Sequence, residues 1–298
     1  MNLPRLTLTV GISTRASGKS LVTTAESIVG SENVGKFPFM IVSDTKPIKK
    51  AHLMKLIKMG VVVRQNKRPG TLSSKMRQLI AGLDTDIFVF TQDDLEFSKD
   101  ALYQMLLTFQ KDPELTMAIS KVIPHKGESF LEKVVEVGAS GAYRVGESWN
   151  KGNNYLMANG RCIAFKVAHL KNMRIPDEVT NLDAYLYFEN ERTGGSFKFV
   201  NSAKVYTKSP QALGEHLNQS SRFQYSKYEL ETYFGDMSKK YKIPFSAYVK
   251  AGISEFVSNP LFTTLYTLVF LYTRIRKKSR KQAINPLWKA DLSTKKIG

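Results

Sequence analysis

The chain has 298 residues, enough to bury one large α/β core or such a core with a smaller appendage. Its 42% hydrophobic and 23% charged content is that of a globular protein, but 44 Lys and Arg against 26 Asp and Glu leave a net charge of +18. That balance favours anionic partners such as nucleic acid, nucleotide diphosphates or acidic lipid, and a single cysteine, Cys162, excludes an internal disulfide framework or a thiolate metal site.

Cys162 reads as a small buried apolar residue, and the cysteine usage fits a reducing compartment, the cytoplasm or a cytoplasmic membrane face. The first residues lack the charged-then-apolar pattern of an export signal.

In chain order, Leu6 to Ser13 is β-rich, and Leu21 to Val29 is helical with Ser20 as its expected N-cap. Phe37 to Ser43 reads as a strand, Ile48 to Met59 as a helix and Val61 to Arg64 as a short strand. The lysines in and beside that helix (Lys46, Lys49, Lys50, Lys55 and Lys58) read as its solvated face. Leu72 to Leu83 is a further helix, and Asp86 to Thr91 a strand with a continuous apolar run. A helix from Ser98 to about Gln110 and a strand from Leu115 to Ser120 follow. Apolar strands alternating with helices imply a parallel sheet covered on both faces. Ligands then bind outside the carboxyl ends of the strands, where this sequence places Ser43-Asp44 and Gln92-Asp93-Asp94.

From about Phe130 to Thr207 the pattern is less regular and reads as the acceptor-side half of the same domain; Gly214 to Lys239 is polar, aromatic and helical in character. The expected division is a catalytic domain over 1–240 and a helical extension over 241–298. In that extension Leu261 to Thr273 is apolar for 13 residues, short of the roughly 20 a spanning helix needs. Arg274 to Lys281 then carries six basic residues. An apolar helix followed by a basic cluster reads as lying in an anionic membrane interface; the competing reading is a core or dimer helix with a solvated basic tail.

The chemistry centres on Thr91 to Phe97, TQDDLEF. Two adjacent carboxylates at the end of a buried strand repel each other and lose solvation, and a divalent cation relieves both costs. Hard oxygen ligands suit Mg2+ or Mn2+, which also hold a diphosphate. On its own the pair fits equally an acidic cluster at a helix N-terminus.

The order of motifs resembles the family 2 glycosyltransferases, which have the GT-A fold, from about Leu6 to Tyr225. The resemblance implies a Rossmann-like, mostly parallel sheet flanked by helices. It places the nucleotide on Ser13, Thr14 and Asp44, and matches Gln92-Asp93-Asp94 to the family's DxD motif, with Gln92 where the first Asp stands. Metal binding is therefore carried over to Asp94 first, with Asp93 in support. Asn159 to Lys166, NGRCIAFK, is similar to the family's glycine-then-apolar-then-basic segment and brings Gly160 to the site. Asn181-Leu182-Asp183 takes the place of its ED motif, with Leu182 for Glu and Asp183 as general base. Gln219-Ser220-Ser221-Arg222-Phe223 is similar to QxxRW, with Phe for Trp, and assigns Gln219 and Arg222 to substrate or nucleotide binding, with Arg222 helping to hold the diphosphate. Val205-Tyr206-Thr207 lacks the histidine common in the family's VYH-like run.

The resemblance implies an inverting, Mn2+- or Mg2+-dependent hexosyltransferase that uses a UDP- or GDP-sugar. Its acceptor would be a saccharide or lipid-linked, at the cytoplasmic face of a membrane. The alternative is an inactive relative that binds nucleotide or an anionic membrane surface. A P-loop is excluded because Gly18-Lys19-Ser20 lacks the required Gly at Ser13. No helix-turn-helix, zinc-finger or RNP-like pattern supports nucleic-acid binding, and His52, His125, His169 and His216 show no metal-ligand spacing.

Overall fold

The computed structural model describes residues 6–15, 18–44, 46–208 and 225–275. In chain order its first half comprises β1 (Leu8–Thr14), α1 (Lys19–Val29), β2 (Phe39–Ser43), α2 (Lys50–Lys58), β3 (Val62–Gln65), α3 (Leu72–Ile80), β4 (Ile87–Thr91), β5 (Leu95–Phe97) and α4 (Ala101–Lys111). The second half comprises β6 (Met117–Pro124), α5 (Phe130–Ser148), β7 (Cys162–Lys166), α6 (Val167–Leu170), α7 (Leu182–Arg192), β8 (Phe197–Thr207), a helix over 225–234 (α8), α9 (Phe245–Ser258) and α10 (Pro260–Ile275).

The eight strands form one sheet in the order β3-β2-β1-β4-β7-β6-β8-β5. The first four are mutually parallel. β7 runs antiparallel to both β4 and β6, and β5 antiparallel to β8. The sheet is therefore mixed, because the second half of the chain inserts a reversed strand beside β4. One face packs Val10, Ile12 and Val89 against α1 and α4; the other packs Phe88, Phe90 and Phe165 against α3 and α7. Every residue of β1 and β4 is buried, Thr9, Ser13 and Thr14 of β1 included, and β4 is apolar up to Thr91. Gly11 lets α3 approach: a Cβ there would lie 2.7 Å from the Phe88 ring and 3.2 Å from Leu79.

Several local expectations are corrected. The N-cap of α1 is Gly18; Ser20 lies inside the helix, fully buried. Ser98 does not open α4, whose N-cap is Asp100. β6 starts later and runs longer than expected, and the supposedly irregular stretch after Phe130 begins with the 19-residue α5. Its start is fixed by a capping box, with Ser129 accepting from Glu132 N and the Glu132 carboxylate accepting from Ser129 N at 2.8 Å.

β5 matters most for the site. It follows β4 after only Gln92, Asp93 and Asp94, yet it pairs with β8 at the far edge, Leu95 opposite Thr207. Four residue steps span at most about 14 Å, so the sheet curls until the end of β8 meets the end of β4. The acidic pair sits at that junction.

Candidate active site

The chain builds β1, β2 and β3 outward in one direction and then returns to place β4 on the other side of β1. Such a reversal opens a crevice at the carboxyl ends of the two strands. Ser13 and Thr14 end β1, Asp44 follows β2, and Asp93 and Asp94 follow β4.

Asp44 is fully buried, and its charge is met by neighbours. Lys75 Nζ lies 3.2 Å from Asp44 Oδ2, which also accepts from Gly70 N at 2.9 Å. Arg15 Nε stands 3.9 Å from Oδ1. Lys75, itself only 2% exposed, also donates from Nζ to the Thr14 carbonyl at 3.2 Å. It thereby ties the ends of β1 and β2 together. Burial pushes the Lys75 ammonium below the ordinary lysine value, although the carboxylates of Asp44 and Asp93 act in the opposite direction.

Thr14 links this cluster to the acidic pair, since its hydroxyl donates to Asp93 Oδ2. Asp93 and Asp94 are 2% and 6% exposed. Among the described residues no group of three or more His, Cys, Asp or Glu is arranged to hold a metal ion. Mg2+ and Mn2+ sites that serve a diphosphate use one or two carboxylates, with phosphate oxygens and water completing the shell. Two adjacent buried carboxylates fit that donor set. Thr14 holds the Asp93 carboxylate in place beside Asp94.

The other half of the candidate site is assembled next to β4. β7 pairs with it, Cys162 opposite Thr91, and the Thr91 hydroxyl donates to the Arg161 carbonyl at 2.5 Å. Gly160 and Arg161 therefore lie beside the start of the Gln92-Asp93-Asp94 turn. Asp183, in the first turn of α7, lays its carboxylate directly over Gly160: a Cβ there would sit 2.6 Å from Asp183 Cγ and 2.7 Å from Oδ2, with Oδ1 closer still. A side chain at position 160 would push that carboxylate aside. The approach to α7 is fixed by Glu229 on α8, whose two carboxylate oxygens accept from Thr180 N at 2.6 Å and Asn181 N at 3.0 Å. Arg161 Nη1 donates to Thr207 Oγ1, which places a guanidinium at the end of β8.

With this geometry in place, the chain can be set beside similar solved structures. The mannosyltransferase PcManGT from Pyrobaculum calidifontis, in complex with GDP-Man and Mn2+, has a TM-score of 0.56 at 10% identity, over 93% of this chain and 78% of its own. Glucosyl-3-phosphoglycerate synthase from Mycobacterium tuberculosis, with Mn2+, UDP and phosphoglyceric acid, has 0.54 at 14% identity, over 76% of this chain and 78% of its own. S. aureus TarS 1–349 with UDP-GlcNAc has 0.54 at 14% identity, over 91% and 88%. The fold is GT-A. No family model and no curated protein sequence matches the chain.

In GT-A terms the structure brings Thr14 to Asp93 and Gly160 to Asp183, and it joins Asp44 to Thr14 through Lys75. Ser13 is buried at the end of β1, and its hydroxyl has no partner among the described residues. Asp94 sits between β4 and β5. Gln219 and Arg222 lie outside the described residues. Sequence reasoning missed Lys75, Arg15, Arg161 and Glu229. Lys75 carried one available signal: a lysine at a position of α3 whose neighbours Met76 and Leu79 are core. Glu229 carried none, because its partners are backbone groups 48 and 49 residues away. Cys162 is fully buried, and burial pushes its thiol up to about 12, in keeping with a packing role.

Proposed function

We propose that the chain is a metal-dependent glycosyltransferase that moves a hexosyl group from a UDP- or GDP-sugar to an acceptor hydroxyl with inversion. The observation that carries this reading is the convergence of two clusters on one strand end. The Asp44–Lys75–Thr14–Asp93 network and the Gly160–Asp183 contact both adjoin the turn after β4. The similar structures named above were solved with GDP-Man, UDP or UDP-GlcNAc, two of them with Mn2+, which supports the donor class and the metal.

In this mechanism Ser13, Thr14 and Asp44 receive the nucleoside, and Lys75 holds the strand ends that shape its pocket. Asp94, supported by Asp93, would hold Mn2+ or Mg2+, which when bound neutralises charge on the diphosphate. Arg161 brings a second positive charge to the same end of the sheet, where phosphate oxygens suit a guanidinium. The acceptor oxygen attacks the anomeric carbon as the bond to the diphosphate oxygen breaks. Its proton passes to the Asp183 carboxylate. One displacement with one base inverts the anomeric centre.

The test is a thermal-stability panel of nucleotide sugars with Mn2+, followed by release of nucleoside diphosphate from the best donor. A ligand at a hundredfold excess over its Kd stabilises by about 2.7 kcal/mol, a shift of several degrees. Asp183→Asn should retain that shift and lose turnover. If no nucleotide sugar stabilises the chain, the proposal is wrong; stabilisation without turnover in either protein favours the inactive, nucleotide-binding alternative.

A further inference from the structure

α9 and α10 pack on α5 and leave a large apolar face to solvent. On α9 the exposed side chains are Phe245, Tyr248, Val249, Ile253, Phe256 and Val257, spaced as one helical stripe, with Phe245 and Val257 81% and 78% exposed. The opposite stripe, Ala247, Ala251 and Glu255, is buried. α10, which packs beside α9, also exposes Leu261, Leu268 and Leu271. Single exposed apolar residues are ordinary, but a stripe of six along one helix, with more on the helix packed beside it, marks an interaction surface.

In the sequence the charges that flank these helices are one-sided. From Lys239 to Gly298 the sequence has thirteen Lys and Arg against Glu255 and Asp291, which is +11 of the chain's +18. Glu255 does not reach the exposed face: it points inward, accepting from Arg144 Nε and from Ser140 Oγ at 2.5 Å. Several hydroxyls on the two helices bond within them. Ser258, Thr264 and Thr267 donate to the carbonyls of Ser254, Pro260 and Thr263 at 2.8–2.9 Å. The two helices thus expose apolar side chains and no acidic group.

We propose that α9 and α10 together form a plate that lies on an anionic lipid bilayer, with α9 contributing as much of the contact as the apolar run of α10. The 16-residue α10 is about 24 Å long, short of a hydrocarbon core of about 30 Å, and none of the described helices is long and apolar enough to cross a membrane. An interfacial seat is what such an element can occupy. A second copy of the chain would cover the apolar side chains but would set one strongly basic segment against another. Anionic lipid supplies the apolar depth and the countercharge together.

Flotation of the full chain with vesicles tests this proposal independently of sugar transfer. The chain should float with phosphatidylcholine vesicles containing phosphatidylglycerol and bind at least about tenfold more weakly to phosphatidylcholine alone. The triple variant Ile253→Asp, Phe256→Asp, Val257→Asp changes only exposed positions, so its circular dichroism and melting temperature should match the parent while vesicle binding falls about tenfold or more. Unchanged binding of the triple variant would overturn the plate and leave the basic tail acting alone. So would a chain that ignores vesicles, or one that light scattering shows to be a dimer which the variant converts to monomer.

Discussion

Substitution of Gly160 by alanine isolates the contact on which the proposed base depends. A Cβ at this position would lie 2.6 Å from Asp183 Cγ and 2.7 Å from Oδ2, whereas comfortable non-bonded separations are about 3.5 Å or more. The carboxylate must therefore retreat by about 1 Å. Asp183 is only partly buried, in the first turn of α7, so it has room to do so without disrupting the core. Gly160 is not among the glycines with positive φ, so alanine brings no backbone strain. A misplacement of about 1 Å in a reacting group costs on the order of a hundredfold in rate. Gly160→Ala should thus lower kcat about a hundredfold, leave donor KM within about twofold and leave the melting temperature nearly unchanged. Asp183→Asn should lose about 10²–10⁴-fold in kcat, the usual range for a general base. In the Asp183→Asn background the alanine should cost little more, because the two changes act through one group. Full turnover in Gly160→Ala, or equal and additive losses in the double variant, would refute the placement of Asp183 as base.

Three further outcomes follow from named contacts. Asp94→Asn should raise the Mn2+ concentration for half-maximal activity at least about tenfold, and more than Thr14→Val, which only releases Asp93; a metal titration of activity distinguishes them. Lys75 is held below the ordinary lysine value of 10.5 by burial, so in the folded chain it loses its proton before a free lysine would. In the window between that lowered value and 10.5 the unfolded chain binds more protons, so this residue's contribution to stability rises with pH. Donor binding, which needs the ammonium, should fall in the same window. Lys75→Arg should remove that alkaline limb, and a donor-affinity profile with the same limb in both proteins would count against a charged role for Lys75. Glu229→Ala leaves two backbone N–H groups without their charged acceptor, at about 1.5–3 kcal/mol for each hydrogen bond. It should lower kcat with donor KM unchanged and reduce thermal stability by several degrees; a change in KM alone would mean Glu229 does not position α7.

The first half of the fold was legible because each of its elements buries a regular stripe. β1 and β4 are buried throughout, and α1 and α3 repeat their buried residues at helical spacing. The second half was not, because its logic is non-local. β7 reads as CIAFK whichever way it runs, and only its pairing with β4 reveals the reversal. β5 is three residues long and exists through its partner β8. Among site residues, those in short motifs were visible: Asp44, Asp93, Asp94 and Asp183 each follow a strand or open a helix. Lys75 and Arg161 were not, since their significance lies in what they touch across 61 and 46 residues of sequence. The stripe on α9 was overlooked because its apolar residues are interleaved with Ala, Gly, Ser and Glu255, and only the helix gathers them on one side.

The two departures from acidic motif positions have different physical consequences. Leu182 is 1% exposed and packs in the core beside Val179 and Tyr185; the adjacent Asp183 meets Gly160. Position 182 serves packing here, and its change from Glu removes no carboxylate from the Gly160 contact. Gln92 is half-buried at the mouth of β4, beside two carboxylates. A third carboxylate there would increase repulsion in the free protein and strengthen attraction for a divalent cation. Gln92→Asp should therefore lower thermal stability in EDTA, by about 1 kcal/mol for one added like charge near a partly exposed site, and gain more from Mn2+ than the parent does. The measurement is the difference in melting temperature with and without Mn2+, compared between the two proteins in the absence of donor. A larger Mn2+ increment in Gln92→Asp places position 92 within reach of the ion. Equal increments would mean that the residue faces away from Asp94, and that the metal reading rests on the Asp93–Asp94 pair alone.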